Sequence, residues 1–182
     1  MLFCNGAYKT GTHALLKTLY LFGGDGKLAI HKHKPYAKRD QGHRYINIFR
    51  SPRNVVGSWI KFTDQELNEA TLIKNIPDRI KDMFDYVEWY TTKDKNVLNI
   101  KYEELLTDPK VIDVIAKFLG LNKKDNHFRK MWGGTYTFTG TPFIWRDHWS
   151  NALEKTWVEN GGLILENALE YDPYKVWIRR EP

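Results

Sequence analysis

The residues best suited to chemistry lie in a short loop near the start of the chain, which reads GAYKTGTH at residues 6–13. The loop follows the apolar stretch MLFC and precedes THALLKTLYLF, where apolar residues recur at helical spacing. A glycine loop between a strand and a helix binds anions, because backbone N–H groups point into the loop and the helix dipole adds partial positive charge. The sequence therefore predicts an anion site at residues 6–13.

The loop differs from the triphosphate P-loop, G-x-x-x-x-G-K-[ST], in the position of its lysine. Gly6 and Gly11 keep the P-loop spacing, but Thr12 stands where that motif has its lysine, and the loop lysine is Lys9. In a P-loop the lysine reaches the β- and γ-phosphates, and the next hydroxyl holds Mg²⁺. This departure disfavours a P-loop kinase of a small metabolite, which we keep as the alternative enzyme.

A second stretch, YINIFRSPRNVVGS, reads as a strand that ends at an arginine and is followed by a helix. Arg50 lies at the strand tip, and Ser58 lies about two turns along the helix that begins near Pro52. An arginine in this position can bind a phosphate through two hydrogen bonds, and a serine hydroxyl can add a third. The stretch predicts a second anion-binding position.

Histidines supply the candidate proton acceptor. The stretch LAIHKHKP reads as a strand that ends in His31 and His33, and active sites of open α/β sheets lie at the carboxyl ends of strands. Strand side chains alternate, so both histidines are expected on the same side, and His33 is the better placed of the two. A metal site built on His-x-His is disfavoured, because no carboxylate or cysteine cluster completes it.

The elements that must position these residues form an alternating pattern. Four short apolar stretches predict strands, at residues 2–5, 28–32, 45–49 and 97–101. Helical patterns lie at residues 12–22, 52–62, 77–93 (beginning with Pro77) and 109–119, and the last strand runs into Tyr102 and a turn. This order predicts a single α/β domain with a parallel β-sheet flanked by helices. Residues 1–121 are the expected nucleotide-binding core, and residues 122–182 the expected helical and loop cap over the site.

Composition restricts the partners. A net charge of +6 favours an anionic ligand, but the charges are scattered and no recognition motif appears, so nucleic acid is not expected as a partner. Cys4 is the only cysteine, so no intramolecular disulfide can form, as is usual in a reducing compartment. No apolar stretch approaches the roughly 20 residues of a membrane span. The expectation is a cytoplasmic protein without a membrane partner.

Taken in order, these stretches resemble the sulfotransferases that use 3′-phosphoadenosine 5′-phosphosulfate (PAPS). GAYKTGTH is similar to the family loop T-Y-P-K-S-G-T-T, and RSPRNVVGS to the family signature R-N-P-x-D-x-x-x-S. YVEWY, YEELLTDP and IAKFLGL resemble the segments that follow, and WRDHWS resembles W-K-N-H-F-T. The resemblance covers about residues 2–150, and it implies a P-loop-like phosphosulfate site, PAPS as co-substrate, PAP as product and no metal.

The resemblance also implies a role for each site residue. Backbone N–H groups of residues 9–13 would bind the 5′-phosphosulfate together with the hydroxyls of Thr10 and Thr12. His13 replaces a second threonine of the loop and is a further donor. The other roles follow from positions that match the family motifs. Arg50 and Ser58 would bind the 3′-phosphate, and Tyr102 would contact the adenine side. Lys9 would stabilise the bridging oxygen, and His33, which aligns with the histidine of K-T-H-L-P, would take the acceptor proton.

Two departures from the family pattern stand out. Where the family has R-K-G, which also binds the 3′-phosphate, this chain has Phe-Thr-Gly, so only Gly140 remains. Arg129, Lys130 and Arg146 are candidates to supply the missing charge. The family's dimerisation stretch is degenerate here, so we expect a monomer or weak dimer.

The sequence thus predicts a sulfotransferase that moves the sulfuryl group of PAPS to a hydroxyl (or amine) of a small-molecule or carbohydrate acceptor. The identity of that acceptor stays open. Besides the P-loop kinase, a second alternative comes from another class of protein, a non-catalytic module that binds PAP or another nucleotide.

Overall fold

The computed structural model describes residues 1–20, 22, 29–121 and 145–172. Its sheet contains four strands in the order β2-β1-β3-β4, and every described pair is parallel. The strands are β1 (Leu2–Asn5), β2 (Ile30–His31), β3 (Arg44–Phe49) and β4 (Val97–Lys101). The predicted α/β class with a parallel sheet is confirmed, and the carboxyl ends of β1, β2 and β3 meet at one edge.

Helices cover both faces of the sheet. Their bounds are α1 (Thr12–Tyr20), α2 (Pro52–Phe62), α3 (Glu69–Phe84), α4 (Val87–Thr91), α5 (Tyr102–Thr107), α6 (Lys110–Leu119), α7 (Asn151–Glu159) and α8 (Gly162–Ala168). Short 3-10 turns lie at Tyr36–Lys38 and Arg146–His148. Among the described residues, no helix is long and apolar enough to cross a membrane.

Alternation along the strands divides the buried side chains into two cores. In β3, Tyr45 and Phe49 pack on one face with α2, α3, α4, α7 and α8, whereas Ile46 and Ile48 pack on the other with α1, α5 and α6. Cys4 lies in the second core, where burial raises the pKa of its thiol to about 12. Both faces of the sheet are therefore covered, which explains why its strands read as short apolar runs.

The structure corrects two of the predicted helical boundaries. The expected helix at 77–93 begins instead at Glu69 as α3, because Asn68 caps it by accepting a hydrogen bond from the Thr71 N–H, and Pro77 lies inside the helix. This helix ends at Phe84, and Val87–Thr91 forms the separate helix α4. The expected turn after β4 is also wrong, since residues 102–107 form α5.

The described part of the segment 122–182 is anchored by a buried arginine of α2. The Arg53 guanidinium donates to Glu166 of α8 at 2.8 Å and to Glu154 of α7. Its central carbon lies 4.7 Å from the Trp149 ring centroid and 5.5 Å from that of Trp157. Helices α7 and α8 are thereby tied to the start of α2, close to the predicted anion-binding arginine.

Candidate active site

The loop after β1 has the backbone shape that its sequence suggests. Lys9 and Gly11 both adopt positive φ, +67° and +107°, which allows a tight turn before α1 begins at Thr12. A Cβ at Gly6 would lie 2.6 Å from the Ile48 carbonyl oxygen, so only glycine fits this approach of the loop to β3. The first amides of α1 have no partners within the helix, and they lie at the mouth of this loop.

Arg50 and Tyr102 hold the loop from the other side. A Cβ at Gly11 would lie 2.4 Å from Cδ2 of Tyr102, so the tyrosine ring packs directly on this glycine. The Arg50 guanidinium carbon lies 4.7 Å from the Tyr102 ring centroid, and its Nη1 donates to the Lys9 carbonyl oxygen at 3.3 Å. The tip of β3 and the start of α5 therefore shape the loop that carries Lys9.

The Lys9 ammonium lies 4.1 Å from the ring centroid of Phe62, at the end of α2. Burial of the amine is the larger cause that lowers its pKa, and the charge of Arg50 is the smaller one. Two cationic side chains therefore lie close together in a partly desolvated position, which favours an anionic ligand between them.

The His33 ring is fixed in one tautomer by a backbone carbonyl. Its Nδ1 lies 2.6 Å from the Gly6 oxygen. A carbonyl oxygen can only accept, so Nδ1 carries the proton in the neutral ring and Nε2 keeps its lone pair. Tyr8 stacks on the ring with centroids 4.2 Å apart. Burial lowers the pKa of His33, opposed in part by the hydrogen bond to Gly6, so the neutral ring is favoured.

His31 and His13 complete a row of three imidazoles. The ring centroid of His31 lies 4.5 Å from that of His33 and 4.9 Å from that of His13, and its Nε2 lies 2.7 Å from Oγ1 of Thr12. Burial, followed by the charges of His33 and His13, lowers the pKa of His31 to about 4. Within the residues that the structure describes, no three His, Cys, Asp or Glu side chains are grouped so as to hold a metal ion.

These side chains line one pocket of about 360 Å³. Its described lining contains no aspartate or glutamate. Nine of the residues singled out from the sequence meet there: Lys9, Gly11, Thr12, His13, His31, His33, Arg50, Ser58 and Tyr102. Arg50 and Ser58 are both buried, one at the end of β3 and the other on α2.

The remaining sequence-derived residues are not part of the described pocket lining. Thr10 is buried, and its hydroxyl donates to the Ala7 carbonyl oxygen at 2.8 Å. Gly140, Arg129 and Lys130 lie outside the described residues, so the third predicted phosphate-binding position stays a prediction. Arg146 lies in the 3-10 turn before α7, outside the described lining of the pocket.

Sequence reasoning missed an aromatic group at the pocket rim, made of Tyr8, Trp59 and Phe62. The Tyr8 and Trp59 ring centroids lie 5.9 Å apart, and those of Trp59 and Phe62 lie 6.0 Å apart. The sequence did hold one signal for Phe62. It follows Ser58 by four residues, and residues at this spacing share a helix face, which places Phe62 on the same side of the helix as Ser58. Tyr8 carried no such signal beyond its place next to Lys9.

Comparison with known proteins identifies the family and the fold. A family model described as a sulfotransferase domain matches residues 27–137. Mouse sulfotransferase SULT7A1, crystallised with PAP, shares the fold with a TM-score of 0.72 at 16% identity, over 94% of this chain and 88% of that one. For retinol dehydratase in complex with androsterone and PAP, the TM-score is 0.70 at 13% identity, over 96% of this chain and 82% of that one.

A sulfotransferase domain from the curacin biosynthetic pathway is more distant, with a TM-score of 0.54 at 10% identity, over 94% of this chain and 98% of that one. The search of curated protein sequences found no match. The solved structures establish the shared fold, whereas the family model also matches the sequence itself over more than half of its length. On that match, this chain belongs to the sulfotransferase domain family.

Proposed function

We propose that this chain binds PAPS and transfers its sulfuryl group to a hydroxyl (or amine) of a small-molecule or carbohydrate acceptor. The observation that carries the proposal is the His33 ring, whose Nδ1 donates to the Gly6 carbonyl oxygen beside the loop of Lys9. That tautomer presents Nε2 as a proton acceptor in a pocket whose described lining has cations and no carboxylate. Such a pocket suits the attack of a neutral hydroxyl on an anionic group.

The residues present fit a nucleotide with several negative charges. Lys9, Arg50 and the N-terminus of α1 all contribute positive charge to the pocket. Two of the solved relatives, mouse sulfotransferase SULT7A1 and retinol dehydratase, were crystallised with PAP. PAPS would supply the activated sulfuryl group, and PAP would be released. The reaction scheme requires no metal ion.

In the proposed transfer, the acceptor oxygen forms a bond to sulfur while the bond from sulfur to the bridging phosphate oxygen breaks. Nε2 of His33 takes the acceptor proton, which prevents positive charge from developing on the attacking oxygen. Lys9 stabilises the negative charge that accumulates on the bridging oxygen as PAP leaves. This stabilisation grows in the transition state, so it accelerates the transfer rather than only tightening binding.

The other site residues would bind and orient the nucleotide. Arg50 and Ser58 are assigned to the 3′-phosphate, and Tyr102 to the adenine side. Thr12 and His13 would contact the phosphosulfate. The Thr12 hydroxyl can donate to the ligand while it accepts from His31. Two further binding roles stay predictions from the sequence: the Thr10 hydroxyl for the phosphosulfate, and Gly140 in the loop that binds the 3′-phosphate.

For the acceptor, the aromatic rim of Tyr8, Trp59 and Phe62 favours a molecule with an apolar face. Retinol dehydratase was crystallised with androsterone and with retinol, so a related fold binds small apolar molecules. A cytoplasmic location and a monomer or weak dimer complete the proposal as predictions from the sequence.

Thermal unfolding with added nucleotides tests the assignment. We expect PAP to stabilise the protein without metal, by about 2.7 kcal/mol at one hundred times its dissociation constant. ADP, ATP and Mg²⁺-ATP serve as controls, because they lack the 3′-phosphate. Stabilisation by Mg²⁺-ATP alone would instead assign the pocket to a kinase, and stabilisation by PAP without any sulfuryl transfer would assign it to a non-catalytic module.

A further inference from the structure

Three asparagines lie side by side on neighbouring strands. Asn5 pairs with Asn47, and Asn47 pairs with Asn99, in the registers of β1 with β3 and of β3 with β4. Asn5 and Asn47 are both 0% exposed. A buried amide costs free energy unless its donors and acceptor are bonded, so a row of asparagines within an apolar sheet requires an explanation.

Backbone groups at its two ends determine how this row is oriented. The Lys34 N–H donates to Oδ1 of Asn5 at 2.8 Å, so the atom at that position must be the oxygen. Nδ2 of Asn5 then donates to Oδ1 of Asn47 at 3.0 Å, and Nδ2 of Asn47 donates to Oδ1 of Asn99 at 2.9 Å. At the far end, Nδ2 of Asn99 donates to the Trp89 carbonyl oxygen at 2.6 Å. Every amide therefore has one consistent orientation.

Asn5, at one end of the row, binds the segment that carries His33. After β2 ends at His31, the Lys32 N–H still donates to the Cys4 carbonyl oxygen at 2.9 Å. One residue beyond His33, the Asn5 side chain takes both backbone groups of Lys34, accepting from its N–H and donating to its carbonyl oxygen at 3.1 Å. An amide side chain thus continues the pairing that the short strand β2 no longer provides.

His33 is consequently held from two directions by adjacent residues of β1 and its loop. Asn5 fixes the backbone that follows His33, and the Gly6 carbonyl oxygen accepts from Nδ1 of its ring. The indole N–H of Trp89 adds a bond to the Lys34 carbonyl oxygen at 2.7 Å. A shift of this backbone would move the ring away from the Gly6 oxygen and release the tautomer that the proposed transfer needs.

We propose that Asn5 is a positioning residue for His33. Its side chain holds the Lys34 backbone through two hydrogen bonds, so that the His33 ring keeps its bond to Gly6. The proposal rests on the proposed function for its catalytic consequence, because only a base at His33 makes the ring position matter for rate. The two hydrogen bonds between Asn5 and Lys34 are present in the free protein. The proposal gives a role to Asn5, the polar residue that ends the otherwise apolar strand LFCN.

The test compares Asn5→Ala with Asn47→Ala, a matched variant that removes an equally buried amide from the same row without touching Lys34. Long-range ¹H–¹⁵N NMR of the free protein reads the His33 tautomer. We expect the Nδ1–H form in the parent and in Asn47→Ala, and a mixture with the Nε2–H form in Asn5→Ala. Thermal unfolding should show a lower midpoint for both variants. A tautomer change seen only in Asn5→Ala is therefore not caused by a general loss of stability.

Single-turnover rates with PAPS prebound give the catalytic readout. We expect Asn5→Ala to lose roughly ten- to a hundredfold, the scale of a displaced catalytic group, and Asn47→Ala to lose much less. In a His33→Ala background, Asn5→Ala should cause no further loss. If Asn5→Ala fails to fold, Asn5→Ser replaces it, since its short hydroxyl cannot reach both Lys34 groups.

Equal tautomers in the two variants, or a rate penalty from Asn5→Ala that persists without His33, would overturn the positioning role. Failure of the proposed function has a different signature. If His33→Ala alone kept the parental rate, the base assignment would be wrong, whereas the NMR comparison would still decide whether Asn5 sets the His33 ring.

Discussion

At the scale of single residues, two histidines that are two positions apart have different hydrogen bonds. The Nδ1 of His33 donates to a backbone carbonyl, whereas His31 bonds the Thr12 hydroxyl through Nε2. Alternation along a strand predicts that both rings face the same pocket, and they do line it. Their partners could not be predicted, because Gly6 and Thr12 reach them from a loop and a helix that are distant in sequence.

The lowered pKa of His33 gives a prediction for the dependence of rate on pH. An unperturbed imidazole titrates near 6.5, and burial lowers this value for His33. The neutral base is therefore kept to lower pH, so the single-turnover rate should stay level through neutral pH and fall only below about 6.5. His31, with a pKa of about 4, stays neutral over that range.

Single-turnover rates of the parent and of His31→Gln, measured from pH 5 to pH 8 with PAPS prebound, check this expectation. Both proteins should lose rate over the same pH interval, because the titrating group is His33. A fall that begins above pH 7, or one that disappears in His31→Gln, would show that another group is the base.

At the scale of elements, the tip of β3 and the start of α2 form one unit around Arg50. The sequence predicted this unit well, since β3 and α2 occupy nearly the expected ranges and bring Arg50 and Ser58 to the same pocket. It predicted α3 less well, because Pro77 reads as a helix start. In the structure the buried series Leu72, Ile76, Ile80 and Met83 runs through that proline, and the cap lies at Asn68.

Replacing Arg50 by alanine should weaken binding of PAP much more than binding of adenosine 5′-phosphosulfate, because only PAP carries the 3′-phosphate. Each lost hydrogen bond to a charged group costs roughly 1.5–3 kcal/mol. Calorimetric titration of both ligands measures the difference. Arg39→Ala is the matched control, since Arg39 stacks on Tyr36 and lies outside the described pocket lining. Equal losses for the two ligands would assign Arg50 to a different part of the nucleotide.

At the scale of the whole molecule, the buried Arg53 connects α2 to α7 and α8. Its two carboxylate partners follow it by 101 and 113 residues. No local pattern predicts contacts over such separations. The sequence predicted residues 122–182 as a cap over the site, and that cap stays a prediction. The described helices α7 and α8 pack near α2 and α3, and the described pocket lining comes from residues 8–102.

Arg53→Ala should destabilise the fold by about 3–5 kcal/mol, because it leaves the buried carboxylate of Glu166 without its cationic partner. Urea unfolding at neutral pH measures the change. Lys155→Ala removes an exposed pair with Glu159 on the same helix α7, and it should cost about 1 kcal/mol or less. Equal costs for the two variants would mean that Arg53 does not anchor the C-terminal helices.

The most direct test of the proposed function follows a radioactive label into the acceptor. The protein is incubated with pools of hydroxyl- and amine-bearing small molecules and sugars, either with [³⁵S]PAPS and EDTA or with [γ-³²P]ATP and Mg²⁺. We predict ³⁵S-labelled product from the parent, a rate lower by about 10²–10⁴ in His33→Ala with PAP binding intact, and no ³²P-labelled product. Transfer of ³²P without ³⁵S, or full ³⁵S transfer by His33→Ala, would contradict the account.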